Sequence, residues 1–317
     1  MALKNVCIIG GSGFVGRHVA ERLSAAGVDV RIPTRNRELA KDSLILLPTA
    51  EVVVADIHDP ADLRRVIGGC DAVINLVGVL HDRRGNGFQR NHAELPALVV
   101  AACREAGIPR LLHMSALGAS ESGPSDYLRS KAAGEVRIRE TRRHGIATTI
   151  FRPSVIFGPG DRFLNLFATL ARWFPLLPVG GAAARFQPIF VEDVARAMVD
   201  SLENRATFDH DYDLCGPTVY TLKELIEFAC GQLGLSRTIV PLPGGLASLQ
   251  AGVLEKLPGR LLTRDNLKSM SVDNVCGCAF PSEFGFLPQA LEAVAPRYLG
   301  ARSIRMRYDT FRGLARR

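Results

Sequence analysis

Short apolar runs alternate with amphipathic stretches along the first half of the chain. The runs are rich in β-branched residues and predict buried strands at 5–9, 28–32, 52–54, 72–76, 110–114 and 147–151. Helical periodicity lies between them, at 15–26, 60–67, 94–106 and 127–143. This alternation predicts βαβ units and an α/β fold with a doubly wound parallel sheet.

The second half follows a weaker pattern beyond Pro153, with frequent proline and glycine. A helix at 191–202, a strand at 212–214 and a helix at 222–233 are still predicted. We therefore expect a sheet domain of 1–157 and 187–216, and a smaller, mainly helical substrate domain of 158–186 and 217–317. Two apolar segments of this domain each have more than one interpretation. The segment 162–174 is expected to be a core-facing helix, a lid or a membrane contact, and 242–257 is expected either to line an apolar pocket or to pack in the core.

Composition adds the protein class and an expected location. The 317 residues are 47% hydrophobic and 22% charged, as in soluble globular proteins. The longest uncharged stretch, 238–254, is interrupted by proline and glycine, so no transmembrane segment or signal peptide is expected. Seven cysteines without a C-x-x-C pair favour a reducing, cytoplasmic location, or one at the inner face of a membrane, and a core without disulfides.

The net charge of +7 is concentrated at the end of the chain. Residues 297–317 contain seven arginines and one acidic residue, which leaves the remainder nearly neutral. A nearly neutral body argues against a nucleic-acid partner. The alternating stretch 304–308 within the tail suits an edge strand, a contact with an anionic membrane or a protein partner, or a merely solvated tail. The oligomeric state stays open.

A glycine-rich turn directly follows the first predicted strand and opens the first predicted helix. Such a turn lets the backbone approach a pyrophosphate, whose charge is met by the N–H groups at the helix start. The sequence therefore predicts a dinucleotide site formed by Gly10, Ser12, Gly13, Phe14, Val15 and Gly16.

The end of the second strand indicates which dinucleotide binds. An NAD site usually places an acidic residue there for the ribose 2′-hydroxyl, whereas this chain has Thr34, Arg35 and Arg37. Arginine can bind a 2′-phosphate, so NADP(H) is favoured over NAD(H). In the alternative, both arginines are only solvated.

Two further loops follow predicted strands at the same edge of the sheet. Asp56 and Ile57 are expected to contact the adenine, although Asp56 is also a candidate helix cap before Pro60. Leu76, Val77 and Gly78 are expected to pass beneath the ribose.

Candidate catalytic residues lie near the fifth strand. Tyr127 and Lys131 are four residues apart and share one helical face. The lysine cation is expected to lower the tyrosine pKa and to bind the nicotinamide ribose. Ser115, just after the fifth strand, is expected to orient a substrate carbonyl or hydroxyl. No metal site is predicted.

These motifs, together with 151–159 and 189–195, resemble the extended short-chain dehydrogenase/reductase superfamily, which includes NAD-dependent epimerases and dehydratases. The resemblance implies a Rossmann nucleotide domain, with Pro153, Ser154, Val155 and Ile156 beside the nicotinamide. The segments 113–118, 127–135, 161–165, 187–191, 262–266 and 272–274 resemble the atypical group that contains the nucleotide-binding accessory subunit of respiratory complex I.

Two functions follow as expectations. One is an NADP(H)-dependent oxidoreductase with an unidentified, apolar, quinone- or isoprenoid-related substrate, because related members are linked to quinone biosynthesis. The other is a non-catalytic NADPH-binding structural, assembly or sensor protein, because the nucleotide of the complex I subunit is understood as structural. The short segment 116–126 departs from the sugar-nucleotide epimerases and disfavours their chemistry.

Overall fold

The computed structural model describes residues 3–38, 44, 46–80, 85–256 and 262–300. The alternating stretch at 304–308 and most of the arginine-rich tail lie outside the described residues. None of the helices in the described ranges combines the length and the hydrophobicity needed to span a bilayer.

The strands, in chain order, are β1 (Asn5–Ile9), β2 (Asp29–Thr34), β3 (Ala50–Val54), β4 (Ala72–Asn75), β5 (Arg110–Met114), β6 (Ala147–Pro153), β7 (Ile156–Phe157), β8 (Leu176–Gly180), β9 (Arg185–Phe186), β10 (Ile189–Phe190), β11 (His210–Leu214), β12 (Tyr220–Thr221) and β13 (Thr238–Leu242). The α-helices are α1 (Phe14–Ala25), α2 (Pro60–Ile67), α3 (Leu95–Glu105), α4 (Asp126–Glu140), α5 (Leu164–Trp173), α6 (Val191–Ser201), α7 (Leu222–Gln232), α8 (Gly244–Leu254), α9 (Arg264–Ser269), α10 (Leu291–Val294) and α11 (Pro296–Leu299).

The predicted doubly wound sheet is confirmed. Within the described residues, seven parallel strands are ordered β11-β6-β5-β4-β1-β2-β3. Consecutive residues of β1 and β4 are buried, so both faces of these strands are covered. This explains their almost purely apolar sequences. One face packs against α2 and α3, where Leu63 and Val99 join a buried cluster with Ile9, Val73 and Leu111.

Most differences from the predicted elements are small, and one is informative. The structure matches the predicted bounds of β1, β5 and α2, and shifts most other ends by one to three residues. Ahead of α3, however, the chain forms a π-helical segment at Gln89–Glu94. Hydrophobic periodicity cannot reveal such a widened turn, because it depends on which side chains the turn must accommodate.

The chain divides into two compact units. The first unit comprises Met1–Pro153, Glu192–Leu214 and Pro281–Phe286, and contains the seven-stranded sheet. The second unit comprises Ser154–Val191, Cys215–Phe280 and Leu287–Arg317. It contains α5, α7, α8 and the two-stranded pairs β10-β7, β12-β9 and β13-β8. Its role as a substrate domain stays a prediction.

The expectation that the core contains no disulfide is wrong. Cys215 and Cys276, separated by 61 residues, form a disulfide in the second unit with their Cα atoms 6.1 Å apart. Sequence spacing could not identify this pair, because the fold alone brings the two cysteines together. The cysteine pattern therefore no longer argues for a reducing compartment. Cys7, Cys70, Cys103 and Cys230 are free and buried, as expected.

Candidate functional site

The predicted nucleotide residues of the first unit follow the carboxyl ends of its parallel strands. The glycine turn follows β1, Arg35 follows β2, Asp56 follows β3 and Leu76 follows β4, while Ser115 comes directly after β5. Carboxyl ends of parallel strands lie at one edge of a sheet, so the fold gathers these residues at that edge. Ligands of open α/β sheets bind in this position.

The glycine turn has the geometry of a phosphate-binding loop. Gly10 has a φ of +86°, which glycine adopts without strain, and an added Cβ would lie 3.2 Å from the Val77 nitrogen. A Cβ at Gly16 would lie 2.4 Å from the Gly10 oxygen, so only glycine lets α1 approach the turn this closely. Gly13 is the N-cap of α1 and makes no side-chain hydrogen bond to it, and the first turn has no acidic residue. The residues present therefore fit a dinucleotide pyrophosphate.

The end of β2 offers exposed cations. Arg35 and Arg37 are both exposed, and Thr34 Oγ1 accepts a hydrogen bond from the Asn36 amide at 3.3 Å. Burial lowers the pKa of His58, in the loop after β3, and the charges of Arg90 and Arg35 lower this pKa further. Arg35 therefore lies near the loop after β3.

The loops after β3 and β4 contain further predicted nucleotide residues. Asp56 is exposed and accepts a hydrogen bond from the His58 amide, whereas Asp59 caps α2. The helix-cap alternative for Asp56 is therefore wrong, and its adenine contact stays a prediction. After β4, Gly78 passes close to Lys131, since a Cβ there would lie 3.2 Å from Lys131 Nζ.

Tyr127 lies in the first turn of α4, which Ser125 caps. The tyrosine ring is half-buried and contacts the rings of Phe88 and His92 edge to face, with centroid distances of 6.0 Å and 5.5 Å. Those two rings stack on each other. Burial raises the pKa of Tyr127 to about 12. The expectation that Lys131 lowers this pKa is wrong, because the shift comes from loss of hydration, which disfavours the charged phenolate. Tyr127 is therefore a neutral phenol, able to donate a proton.

Lys131 is almost completely buried, at 2% exposed. Its Nζ donates a hydrogen bond to the Met114 carbonyl at 3.1 Å, at the end of β5. Burial lowers the lysine pKa to about 8, against the opposing effect of the Glu135 carboxylate. Because Lys131 also lies against Gly78, the cation is positioned between the predicted ribose loop and the end of β5.

Ser115 and His113 present polar atoms that the described residues leave unpaired. The hydroxyl of Ser115 is buried and has no hydrogen-bond partner there. Asn75 accepts a hydrogen bond from the Val77 amide, so its Nδ2 donates to His113 Nδ1, 3.3 Å away. The proton of His113 is then on Nε2, which also lacks a partner in the described structure. Unpaired buried groups of this kind are expected where a ligand completes the site.

His92 connects the loop after β4 to α4, and sequence reasoning missed it. The Val79 amide donates to His92 Nε2 at 3.0 Å, so the ring proton is on Nδ1 and is donated to Ser130 Oγ, 2.9 Å away. Ser130 in turn donates to the Tyr127 carbonyl at 2.8 Å. His92 can make both hydrogen bonds because it lies in the π-helical segment, which only the folded structure reveals.

The buried, neutral His92 predicts that the stability of the protein depends on pH. Burial, followed by the charge of Lys131, lowers the pKa of His92 to about 2, so the folded protein keeps the ring neutral while the unfolded chain protonates it below about pH 6.5. Stability is then lost as the pH falls below that value. We expect His92→Gln to reduce the loss between pH 7.5 and pH 5 by about 2 kcal/mol in urea unfolding. The exposed His144 supplies the control His144→Gln, and equal losses in wild type and His92→Gln would contradict the assignment.

Ion pairs attach α4 to the sheet. The buried Glu135 of α4 accepts hydrogen bonds from Arg139 at 2.7 Å and from Arg152 of β6 at 2.6 Å. Arg139 also donates to Asp211 of β11 at 2.6 Å. The network satisfies the buried carboxylate and fixes the helix face that carries Tyr127 and Lys131.

The predicted nicotinamide segment extends beyond the first unit. Pro153 ends β6, whereas Ser154, Val155 and Ile156 belong to the second unit. There, Asn274 Oδ1 accepts hydrogen bonds from Ser154 Oγ at 2.6 Å and from the Val155 amide at 3.1 Å. Asn274 thus holds this segment in place. The only sequence signal for Asn274 was that it belongs to the motif at 272–274.

One group of residues in the described structure approaches the geometry of a metal site. His18, Glu21 and Glu192 bring their ligand atoms within 4.8 Å of one another. Glu192 is already hydrogen-bonded to His18 at 2.5 Å and to Arg22 at 3.1 Å. A neighbouring arginine repels a metal ion, so we interpret the group as an ion-pair network that joins α1 to α6.

Comparisons with known proteins identify the family of the chain. The sequence model of the NAD dependent epimerase/dehydratase family matches residues 6–215. The mitochondrial NADH dehydrogenase [ubiquinone] 1 alpha subcomplex subunit 9 of Mus musculus is 31% identical, over 97% of this chain and 81% of that protein. The ceramide reductase of Caulobacter vibrioides is also 31% identical, over 75% of this chain and 73% of that protein.

A solved structure supports the fold alone. The epimerase Mth375 of Methanothermobacter thermautotrophicus superimposes with a TM-score of 0.75, covering 98% of this chain and 94% of that protein, at 18% identity.

Proposed function

Because the chain belongs to the NAD dependent epimerase/dehydratase family, we propose that it is an NADP(H)-dependent oxidoreductase that interconverts a carbonyl and an alcohol on an apolar substrate. The observation that carries the proposal is the arrangement around Lys131. Its ammonium lies against the Gly78 loop and the end of β5, one turn from Tyr127. The unpaired Ser115 hydroxyl lies beside Met114, the residue that binds Lys131.

Each side chain has a role that follows from its surroundings. The nicotinamide supplies or accepts the hydride when it is bound. Tyr127, a neutral phenol, donates the proton to the carbonyl oxygen in the direction of reduction. The Ser115 hydroxyl donates a hydrogen bond to the same oxygen, which satisfies its own unpaired donor. Lys131 binds the ribose through its buried ammonium, which lies against Gly78.

An apolar substrate is supported by two observations. The surroundings of Tyr127 include the aromatic rings of Phe88 and His92, and burial makes both histidines of the site neutral, with pKa values lowered to about 2 for His92 and about 3 for His113. A related protein carries the name ceramide reductase. We therefore propose that the substrate is a lipid-like ketone or alcohol, a class that includes quinone- and isoprenoid-related compounds.

The preference for NADP(H) rests on Arg35 and on the absence of an acidic residue from 34–37. A charge-assisted hydrogen bond to a 2′-phosphate contributes about 1.5–3 kcal/mol. We expect Arg35→Gln to raise the Kd for NADPH by at least about tenfold and to leave that for NADH within about twofold, measured by calorimetry. Arg64→Gln, which removes an exposed arginine paired with Glu105, is the control. Tighter binding of NADH than of NADPH by the wild-type protein would contradict the preference.

The proposed activity is tested with pairs of ketones that share a reacting group but differ in chain length and polarity. We expect consumption of NADPH with long-chain ketones and much slower consumption with short, polar ones. Faster reaction with sugar-nucleotide substrates would overturn the proposed substrate class.

A second candidate is a nucleotide-binding structural protein. It is favoured by the complex I subunit relative, which aligns with 97% of this chain. In that case NADPH binding raises stability but no substrate is turned over. The two functions differ in their dependence on Tyr127, which only the oxidoreductase needs.

A further inference from the structure

Part of the surface of the second unit is apolar although it is exposed to solvent. The exposed side chains come from α5 and the residue after it, from β8 and β13, and from one stripe of α8. They are Trp173, Phe174, Leu176, Val240, Leu246, Leu249 and Val253. We call this set the apolar face. Exposed apolar clusters of this kind usually mark an interaction surface.

The pairing of the elements makes these side chains neighbours. In the register of β8 and β13, Val240 is opposite Pro178, two residues beyond Leu176 and therefore on the same side of the pair. On α8, Ala247 and Ala251 are buried, while Leu246, Leu249 and Val253 form an exposed stripe.

A hydrogen bond joins the two parts of the face. Gln250 Nε2 of α8 donates to the Pro178 carbonyl at 2.8 Å. Because Gln250 lies between the buried and the exposed stripe of the helix, this bond sets the exposed stripe beside the outer side of the strand pair.

The charge around the apolar face is mainly positive. The elements that form the face contain Arg172 and no Asp or Glu, and Arg162 and Arg237 lie just before α5 and β13. Glu255 and Lys256 directly follow α8. A suitable occupant therefore combines an apolar interior with a negatively charged rim. A second copy of the chain fits poorly, because it would bring the same arginines against each other.

We propose that the apolar face docks onto the interface of a bilayer that contains anionic lipids. Leucine and valine enter the boundary of the acyl chains, Trp173 lies at the level of the headgroups, and the arginines contact lipid phosphates. The proposal goes beyond the oxidoreductase function and holds whether or not the protein turns over a substrate.

Trp173 makes the proposal directly testable, because it is the one tryptophan in the sequence and is 78% exposed. The full chain is mixed with vesicles of phosphatidylcholine, or of phosphatidylcholine and phosphatidylglycerol in equal parts. We expect the mixed vesicles to shift the tryptophan emission to shorter wavelength, to protect it from aqueous quencher and to float with the protein. Neutral vesicles should do so much less, and added salt should weaken the binding.

Variants separate the apolar face from the arginine-rich tail. We expect the combined change Leu246→Gln, Leu249→Gln and Val253→Gln to lower the partition constant at least about tenfold. Leu46→Gln and Val54→Gln, in the first unit, remove apolar side chains that are also more than half exposed, and these variants should bind as the wild type does. All of these positions are exposed, and circular dichroism checks the fold.

Three results would overturn the proposal. The first is the absence of both the shift and the flotation with mixed vesicles. The second is unchanged binding by the triple variant, which would assign membrane binding to the tail. The third is an emission shift that depends on protein concentration without vesicles, which would make a second copy the occupant.

Discussion

The Tyr127→Phe variant is expected to lose NADPH-dependent turnover by about 10³-fold, within the range of general acid–base catalysis. The change removes one hydroxyl and keeps the ring contacts with Phe88 and His92, so the fold should be retained and the Kd for NADPH should stay within about twofold of the wild type. Turnover is measured at saturating NADPH, and binding by calorimetry.

The physical reason is the protonation state of the phenol. Burial raises the Tyr127 pKa to about 12, so the proton is present throughout the neutral range. Phenylalanine leaves the substrate carbonyl oxygen without this proton donor. The Ser115 hydroxyl can then still donate a hydrogen bond to that oxygen, but it does not replace the proton transfer. The control is Tyr212→Phe, which removes a hydroxyl from β11. Equal turnover by Tyr127→Phe and the wild type would remove Tyr127 from the reaction.

Gly16→Ala is expected to lower the free energy of unfolding by at least about 3 kcal/mol, at the upper end of overpacking effects. The added Cβ would lie 2.4 Å from the Gly10 oxygen and 2.5 Å from the Gly11 Cα, and backbone atoms cannot rotate away as a side chain does. The same displacement separates the turn from the start of α1. The stabilisation that NADPH gives to the wild type should therefore be largely lost as well.

Gly231→Ala is the matched control for this change. Gly231 lies inside α7, and a Cβ there meets no atom within 4 Å. Alanine is the better helix former, so a gain of up to about 1 kcal/mol is expected. Urea unfolding with and without NADPH measures both variants. Wild-type stability and NADPH response in Gly16→Ala would contradict the role of the turn.

Local sequence patterns predicted the elements that local interactions determine. β1, β5 and α2 have the predicted bounds, because apolar runs, turn residues and a helix start are encoded within a few residues. The glycine turn was predictable for the same reason. Its geometry depends on Gly10 and Gly16, which are adjacent to the strand and the helix that they join.

The missing parts of the site depend on residues far apart in the sequence. The hydrogen bond between His92 and Ser130 spans 38 positions, and that between Ser154 and Asn274 spans 120. The Cys215–Cys276 disulfide likewise needs the folded second unit. The raised pKa of Tyr127 was missed because spacing reveals the lysine charge but not the extent of burial.

The central claim is that Tyr127, Lys131 and Ser115 support hydride transfer from NADPH to an apolar carbonyl. The most direct measurement uses NADPH carrying deuterium at C4 and a long-chain ketone, with the product analysed by mass spectrometry. We predict one deuterium in the alcohol formed by the wild type and about 10³-fold less labelled product with Tyr127→Phe. Tight NADPH binding with no labelled alcohol across the apolar ketones would contradict the claim and would favour the structural function.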